Sequence, residues 1–294
     1  AASMLLNSVF LVSDRLRSAM GYEMYFLRLV RNFLIISLCA SYGKADVISD
    51  LYDALHMDRI NEIIRLEGIQ DAEGTGEAYL PPNSVDRFVA QAKSVYQLEA
   101  MERDFKRLLT QNLSIPDANK ILLFYQKPLG KVASELEVSA RIAISDKHIE
   151  EMAKIKLKEA VKSKNKRLDE IESVIKTLEL VEQNLIGAYA AQFAFMYELS
   201  KLGVIELSKQ EMIDLITNDE EKLKSEILEW LMAFSHMAYT PMSDKEFSDY
   251  SDFSKSELGI ALNKALFSVY NEMAKDQSQR LASILGEFMK SEDL

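Results

Sequence analysis

The stretch Ser114-Ile115-Pro116-Asp117-Ala118-Asn119-Lys120-Ile121-Leu122-Leu123-Phe124-Tyr125-Gln126-Lys127-Pro128-Leu129-Gly130 decides how this chain folds. Ser114 with Asp117 three residues later marks a helix start: the hydroxyl accepts from an amide left free in the first turn, and the carboxylate favours the helix's positive end. The apolar run to Tyr125 continues that helix. Pro128, without an amide hydrogen, and Gly130, tolerant of unusual dihedrals, then force a corner before the next helix.

The same pattern recurs downstream. Ser243-Asp244-Lys245-Glu246 is a fuller capping box, and Phe253 and Leu258-Gly259 follow as Phe124 and Leu129-Gly130 did. These positions, and Phe105 with Phe234, all stand 129 residues apart. Such a constant step reads as an internal repeat. The expected fold is all-α: two tandem helical-hairpin bundles related by that repeat, at 46–165 and 166–294, with Leu129, Gly130, Leu258 and Gly259 as structural corners.

Outward from the two corners the chain stays helical. Leu51, Leu55, Ile60, Ile63 and Ile64 recur at three- and four-residue steps. A loop is expected at Gly68–Asn83, which holds Gly74, Gly76, Pro81 and Pro82, and is the most mobile internal segment predicted. Asn83 or Ser84 then caps a long helix through Phe88, Val95, Leu98, Phe105 and Leu108. A lysine-rich stretch ending near Lys164-Asn165 marks the boundary between the halves. Leu168–Leu202 is another long amphipathic stretch closed by Gly203, and Ser208 with Glu211 begins a further helix.

Composition agrees. In 294 residues there are 10 Gly, 5 Pro and 48% apolar residues, which disfavours disorder and an all-β sandwich. A formal charge of −11 argues against a nucleic-acid partner. The apolar run Phe33–Ala40 is well short of the ~20 residues a membrane span needs. Arg28 and Arg31 before it, and Gly43-Lys44-Ala45 after it, give it the form of a secretory signal over 24–45, cut between Ala45 and Asp46. Residues 1–23 read as an upstream extension, since Asp14 and Glu23 precede the basic region and Met24 is the natural start. Cleavage removes Cys39, the one cysteine, so the mature chain has no disulfide or thiol nucleophile. The expected location is periplasmic or secreted.

Ile121–Lys131, with Phe124-Tyr125 at a helix end before a Pro-x-Gly corner, resembles the signature of the secreted bacterial "domain of unknown function 2059" family. Tyr250–Phe253 to Leu258-Gly259 is similar to the same element, with Glu257 in place of the proline and Ser254 in place of the second aromatic. The resemblance implies an all-α exported protein and carries no reaction, ligand or catalytic residue.

Chemistry-bearing groups do not converge in the sequence. His56, His148 and His236 are far apart, and Met232, Met242 and His236 around Trp230 suit core filling better than a soft-metal site. There is no Gly-x-Ser-x-Gly elbow, Walker loop or dinucleotide fingerprint. Carboxylate pairs such as Glu150-Glu151 read as solvated faces. No catalytic, cofactor or metal residue is therefore expected. Aromatics offer the better surface: Tyr79 before Pro81-Pro82, and Phe124, Tyr125 and Pro128 at the corner, form the expected partner-binding region. The functional expectation is an exported, non-enzymatic binding or scaffolding protein with an envelope protein as partner. The rival classes are a carboxylate-based envelope glycan hydrolase and a carrier of a small apolar ligand.

Overall fold

A computed structural model describes residues 44–292, and every regular element among them is a helix. The upstream extension, and the signal apart from Lys44 and Ala45, lie outside the described residues. In chain order come α1 (Lys44–Ala54), α2 (Met57–Tyr79), α3 (Pro82–Ala92), a 3₁₀ turn (Lys93–Tyr96), α4 (Leu98–Asn112), α5 (Ile115–Tyr125) and α6 (Pro128–Ala143). They are followed by α7 (Lys147–Lys162), α8 (Arg167–Thr177), α9 (Leu180–Lys201), α10 (Lys209–Thr217), α11 (Glu220–Tyr239), α12 (Asp244–Lys255) and α13 (Glu257–Glu292).

The caps form as local chemistry dictates. Ser114 Oγ accepts from the Asp117 amide at 3.2 Å, and reciprocal boxes join Ser208 to Glu211 and Ser243 to Glu246. Where α13 lacks the proline that starts α6, Ser256 Oγ takes over by accepting from the Gly259 amide at 3.3 Å. Gly130 and Gly259 both sit where the following helix meets the preceding one. A Cβ on Gly130 would lie 2.5 Å from the Phe124 carbonyl oxygen, and one on Gly259 would lie 2.3 Å from that of Phe253. Only glycine permits that approach.

Three expectations need correction. Gly68–Asn83 is not a loop: α2 continues to Tyr79, leaving Leu80 and Pro81 as the link to α3. The glycines there serve packing, since a Cβ on Gly68 would meet the Tyr96 ring at 2.5 Å and one on Gly76 the Phe88 ring at 2.9 Å. Tertiary contact outweighs the modest helix penalty of glycine. The long helix expected from Asn83 or Ser84 starts instead at Pro82 and breaks at Lys93–Gln97, where burying Val95 and Tyr96 turns the chain. The apolar stretches around Leu55 and Leu178 each break too, at His56 (φ 40°) and Glu179 (φ 52°), left-handed conformations that non-glycine residues adopt at a cost.

One apolar core runs from Val47 to Phe288 and draws on both halves. α1 packs on α5 and α8 on α12, within their own halves. The C-terminal helices cross over: α6 and α7 pack on α11, whereas α13 packs on α4, α5 and α3 as well as along α9. At the crossing, the Phe124 and Phe253 rings stack 3.5 Å apart and nearly parallel.

Candidate functional site

The structure places the predicted corner residues together but turns most of them inward. Phe124 is partly buried against Phe253, and Tyr125 meets both rings edge-on with only 1% of its surface exposed. Tyr125 is thus unavailable to a partner at the surface of this fold, because the crossing of the two corners covers it. Pro128 is exposed at the start of α6, while Leu129 and Leu258 pack against the core beside Gly130 and Gly259. Tyr79 is partly buried at the C-terminal end of α2, where burial pushes its phenol up. Among the described residues no ring contact joins it to Phe124 or Tyr125.

Beneath the crossing lies a polar cluster that the sequence did not announce. Glu137, fully buried on α6, accepts hydrogen bonds from the Tyr239 and Tyr250 hydroxyls of the other half, the latter at 2.7 Å. Burial first, and then the Glu137 charge, hold the Tyr125, Tyr239 and Tyr250 phenols far above their ordinary value. They therefore stay protonated and serve as donors. All four side chains are closed off from solvent, which makes the cluster a clamp between the halves rather than a reaction site. A second buried pair lies within the first half and joins α6 to α2, with Arg141 Nη2 on Glu67 at 2.7 Å.

The histidines remain apart in role. His56 contacts Glu135 at 3.2 Å, and burial lowers its pKa more than that carboxylate raises it. His236 on α11 is also lowered, by burial and by Arg167, whereas His148 stands near the exposed start of α7. Among the described residues no group of three or more His, Cys, Asp or Glu side chains could hold a metal ion. A cleft of about 230 Å³ between α4 and α13 holds Asp104 and Asp276, each paired with a guanidinium of its own helix, Arg107 at 3.2 Å and Arg280 at 3.6 Å.

The strongest surface feature lies on α9. This helix is apolar around nearly its whole circumference, a pattern expected of a helix covered on all sides. Its inner faces do pack, with Gly187 admitting the Asn271 side chain of α13 and Ala188, Ala191, Phe195 and Leu199 buried. One arc stays open. Ile186 is 54% exposed, Tyr197 is 37% exposed, and Tyr189 and Phe193 between them are only partly covered. The Phe193 and Tyr197 rings lie parallel at 5.8 Å, and Lys209 of α10 sits 5.0 Å over Tyr197. One turn further along α10, Ile213 is 44% exposed. Sequence reasoning passed over this stretch as one more amphipathic helix; the surplus of large apolar residues on its outward arc was the available signal.

No known protein family, no curated protein and no solved structure matches this chain.

Proposed function

We propose that this chain is an exported, non-enzymatic helical binding and scaffolding protein that engages an envelope partner through the aromatic face of α9 and α10. The observation that carries the reading is the apolar arc of exposed Ile186 and Tyr197 with half-buried Phe193 between them and exposed Ile213 beside it, on a helix otherwise packed into the core. Aromatic side chains held in place by a rigid base lose little freedom on binding, which makes such faces effective docking sites. α9 draws that rigidity from its packing along α13 and against α8, α10 and α11, while the buried Glu137 and Glu67 clusters offer no opening to a substrate.

The rival readings receive less support. The α4–α13 cleft is below the ~300 Å³ typical of small-molecule sites, and its acids Asp104, Glu272 and Asp276 are each paired with a cation of their own helix. Export rests on the signal-like segment 24–45; a cut after Ala45 keeps the core residues Val47, Ile48 and Leu51 in the mature chain.

An internal repeat accounts for the crossing helices. Its support is that α1 and α8 are each followed by a leucine and then a left-handed residue, Leu55-His56 and Leu178-Glu179. Ile48, Leu55, Asn61 and Ile63 also stand one constant step from Ile171, Leu178, Asn184 and Ile186. That step is slightly shorter than the one relating the two corners, which places a small insertion between them.

The test is a photo-crosslinking amino acid at Ile186 in the full chain, expressed in its native cells, with N-terminal sequencing of the mature protein. A specific protein adduct and a terminus at Asp46 are expected. Absence of any adduct from this face would overturn the binding reading, and an uncut cytoplasmic chain would overturn export.

A further inference from the structure

The open arc of α9 carries a charge order that identifies its occupant. At about 100° per residue, Glu182, Ile186, Phe193 and Tyr197 fall within roughly 60° of the helix circumference, with Lys201 a further ~40° round. Glu182 and Glu179 are exposed at the N-terminal end of this stripe. Lys201, which also holds the buried Glu198 one turn back at 2.9 Å, and Lys209, over the Tyr197 ring, stand exposed at the other end. The stripe is therefore acidic at one end, apolar and aromatic in the middle, and basic at the other.

Such a stripe is complementary to itself when turned end for end. Two α9 helices packed antiparallel, with a twofold axis between Ala191 and Gln192, set Glu182 of one copy against Lys201 of the next. The same operation sets Ile186 against Tyr197 and Ala190 against Phe193, and repeats every pairing on the far side of the axis. Ala190 is small where Phe193 is large, so the central rings meet a shallow place rather than each other. A parallel arrangement would put like charge against like at both ends. We infer that the α9 face is a self-association surface and that its partner is a second copy of this chain, related by a twofold axis. The inference rests on reading this face as a binding surface. One helix pair is small against the ~800 Å² per partner of a stable complex, so the dimer should dissociate reversibly over roughly micromolar concentrations.

Sedimentation velocity of the full chain over a concentration series tests this, with circular dichroism confirming that each variant is folded. Ile186→Lys, which brings a cation to the ring beneath Lys209 of the other copy, should abolish the dimer. Glu182→Lys alone and Lys201→Glu alone should each raise the dissociation constant about tenfold, since each change creates two like-charge contacts. Mixing those two variants should restore association, because a heterodimer regains opposite charges at both ends. That rescue also guards against a folding explanation, as neither variant is altered by mixing. A chain that stays monomeric at ~100 µM would overturn the inference, and so would a dimer whose affinity ignores all three substitutions. A monomer in solution whose α9 face crosslinks to a different protein in cells would sink the self-association and leave the binding reading standing. No crosslink from that face would sink both.

Discussion

Replacing Gly130 by alanine isolates the contact on which the helix crossing depends. The residue is buried in the first turn of α6, where alanine would ordinarily add about 1 kcal/mol of helix propensity. The added Cβ, however, would stand 2.5 Å from the Phe124 carbonyl oxygen and 2.6 Å from the Tyr125 Cα. Ordinary contact begins at 3.4 Å, so backbone on the α5 side must move by close to an ångström. Those atoms belong to the residues that hold the Phe124–Phe253 stack and the tyrosine cluster, and they have no flexible end to swing aside. Because backbone rather than a flexible side-chain end must move, the cost falls at the top of the ~1–3 kcal/mol typical of overpacking, so after the propensity gain a net loss of roughly 2 kcal/mol is expected. For a chain of this size that corresponds to a fall of about 4–8 °C in Tm. The assay is thermal and urea unfolding followed by far-ultraviolet circular dichroism, with Gly203→Ala as the comparison. Gly203 has φ +72° and nothing within 4 Å, so its replacement strains only its own backbone and should cost about 1 kcal/mol. A Gly130→Ala protein as stable as the parent, at unchanged urea dependence, would refute the reasoning that close approach fixes this corner.

Other consequences are open to measurement. Arg141→Met should lose about 3–5 kcal/mol by leaving Glu67 buried without its guanidinium, and adding Glu67→Leu should recover most of it; urea unfolding of both variants decides. A double-mutant cycle with Phe124→Leu and Phe253→Leu should give a coupling of about 1 kcal/mol across the stacked rings, and a coupling near zero would dissociate the stack from stability. His56 and His236 both have folded pKa values below the unfolded 6.5, so the unfolded chain binds more protons in that window. Stability should be full above about pH 6.5 and fall as the pH drops through it, and His236→Gln should flatten the dependence; a Tm that is level from pH 7 to 5.5 would contradict this.

Much of this protein is written locally. Ser114, Ser208 and Ser243 cap helices because the groups that satisfy the first-turn amides lie within three residues of each other in sequence. Pro128 and Gly203 mark ends for equally local reasons, a missing donor and a left-handed residue, and Gly130 and Gly259 mark corners because a side chain there would strike the carbonyl six residues back, not because their dihedrals are unusual. The all-α class follows from those signals and from apolar residues at helical spacing. Where a decision depends on distant chain, the same reading fails. Gly68 and Gly76 look like loop residues until the Tyr96 and Phe88 rings arrive from another element to fill the space. The breaks at His56 and Glu179 carry no glycine or proline, because burial of the flanking leucines, not backbone preference, sets them. Tyr125 read as a surface aromatic and is buried, since only the meeting of the two corners covers it. Periodicity states which side chains share a face of α9, but whether that face is covered depends on how many helices reach it. The tertiary arrangement brings α8, α10, α11 and α13 against α9 and leaves the arc from Ile186 to Tyr197 open.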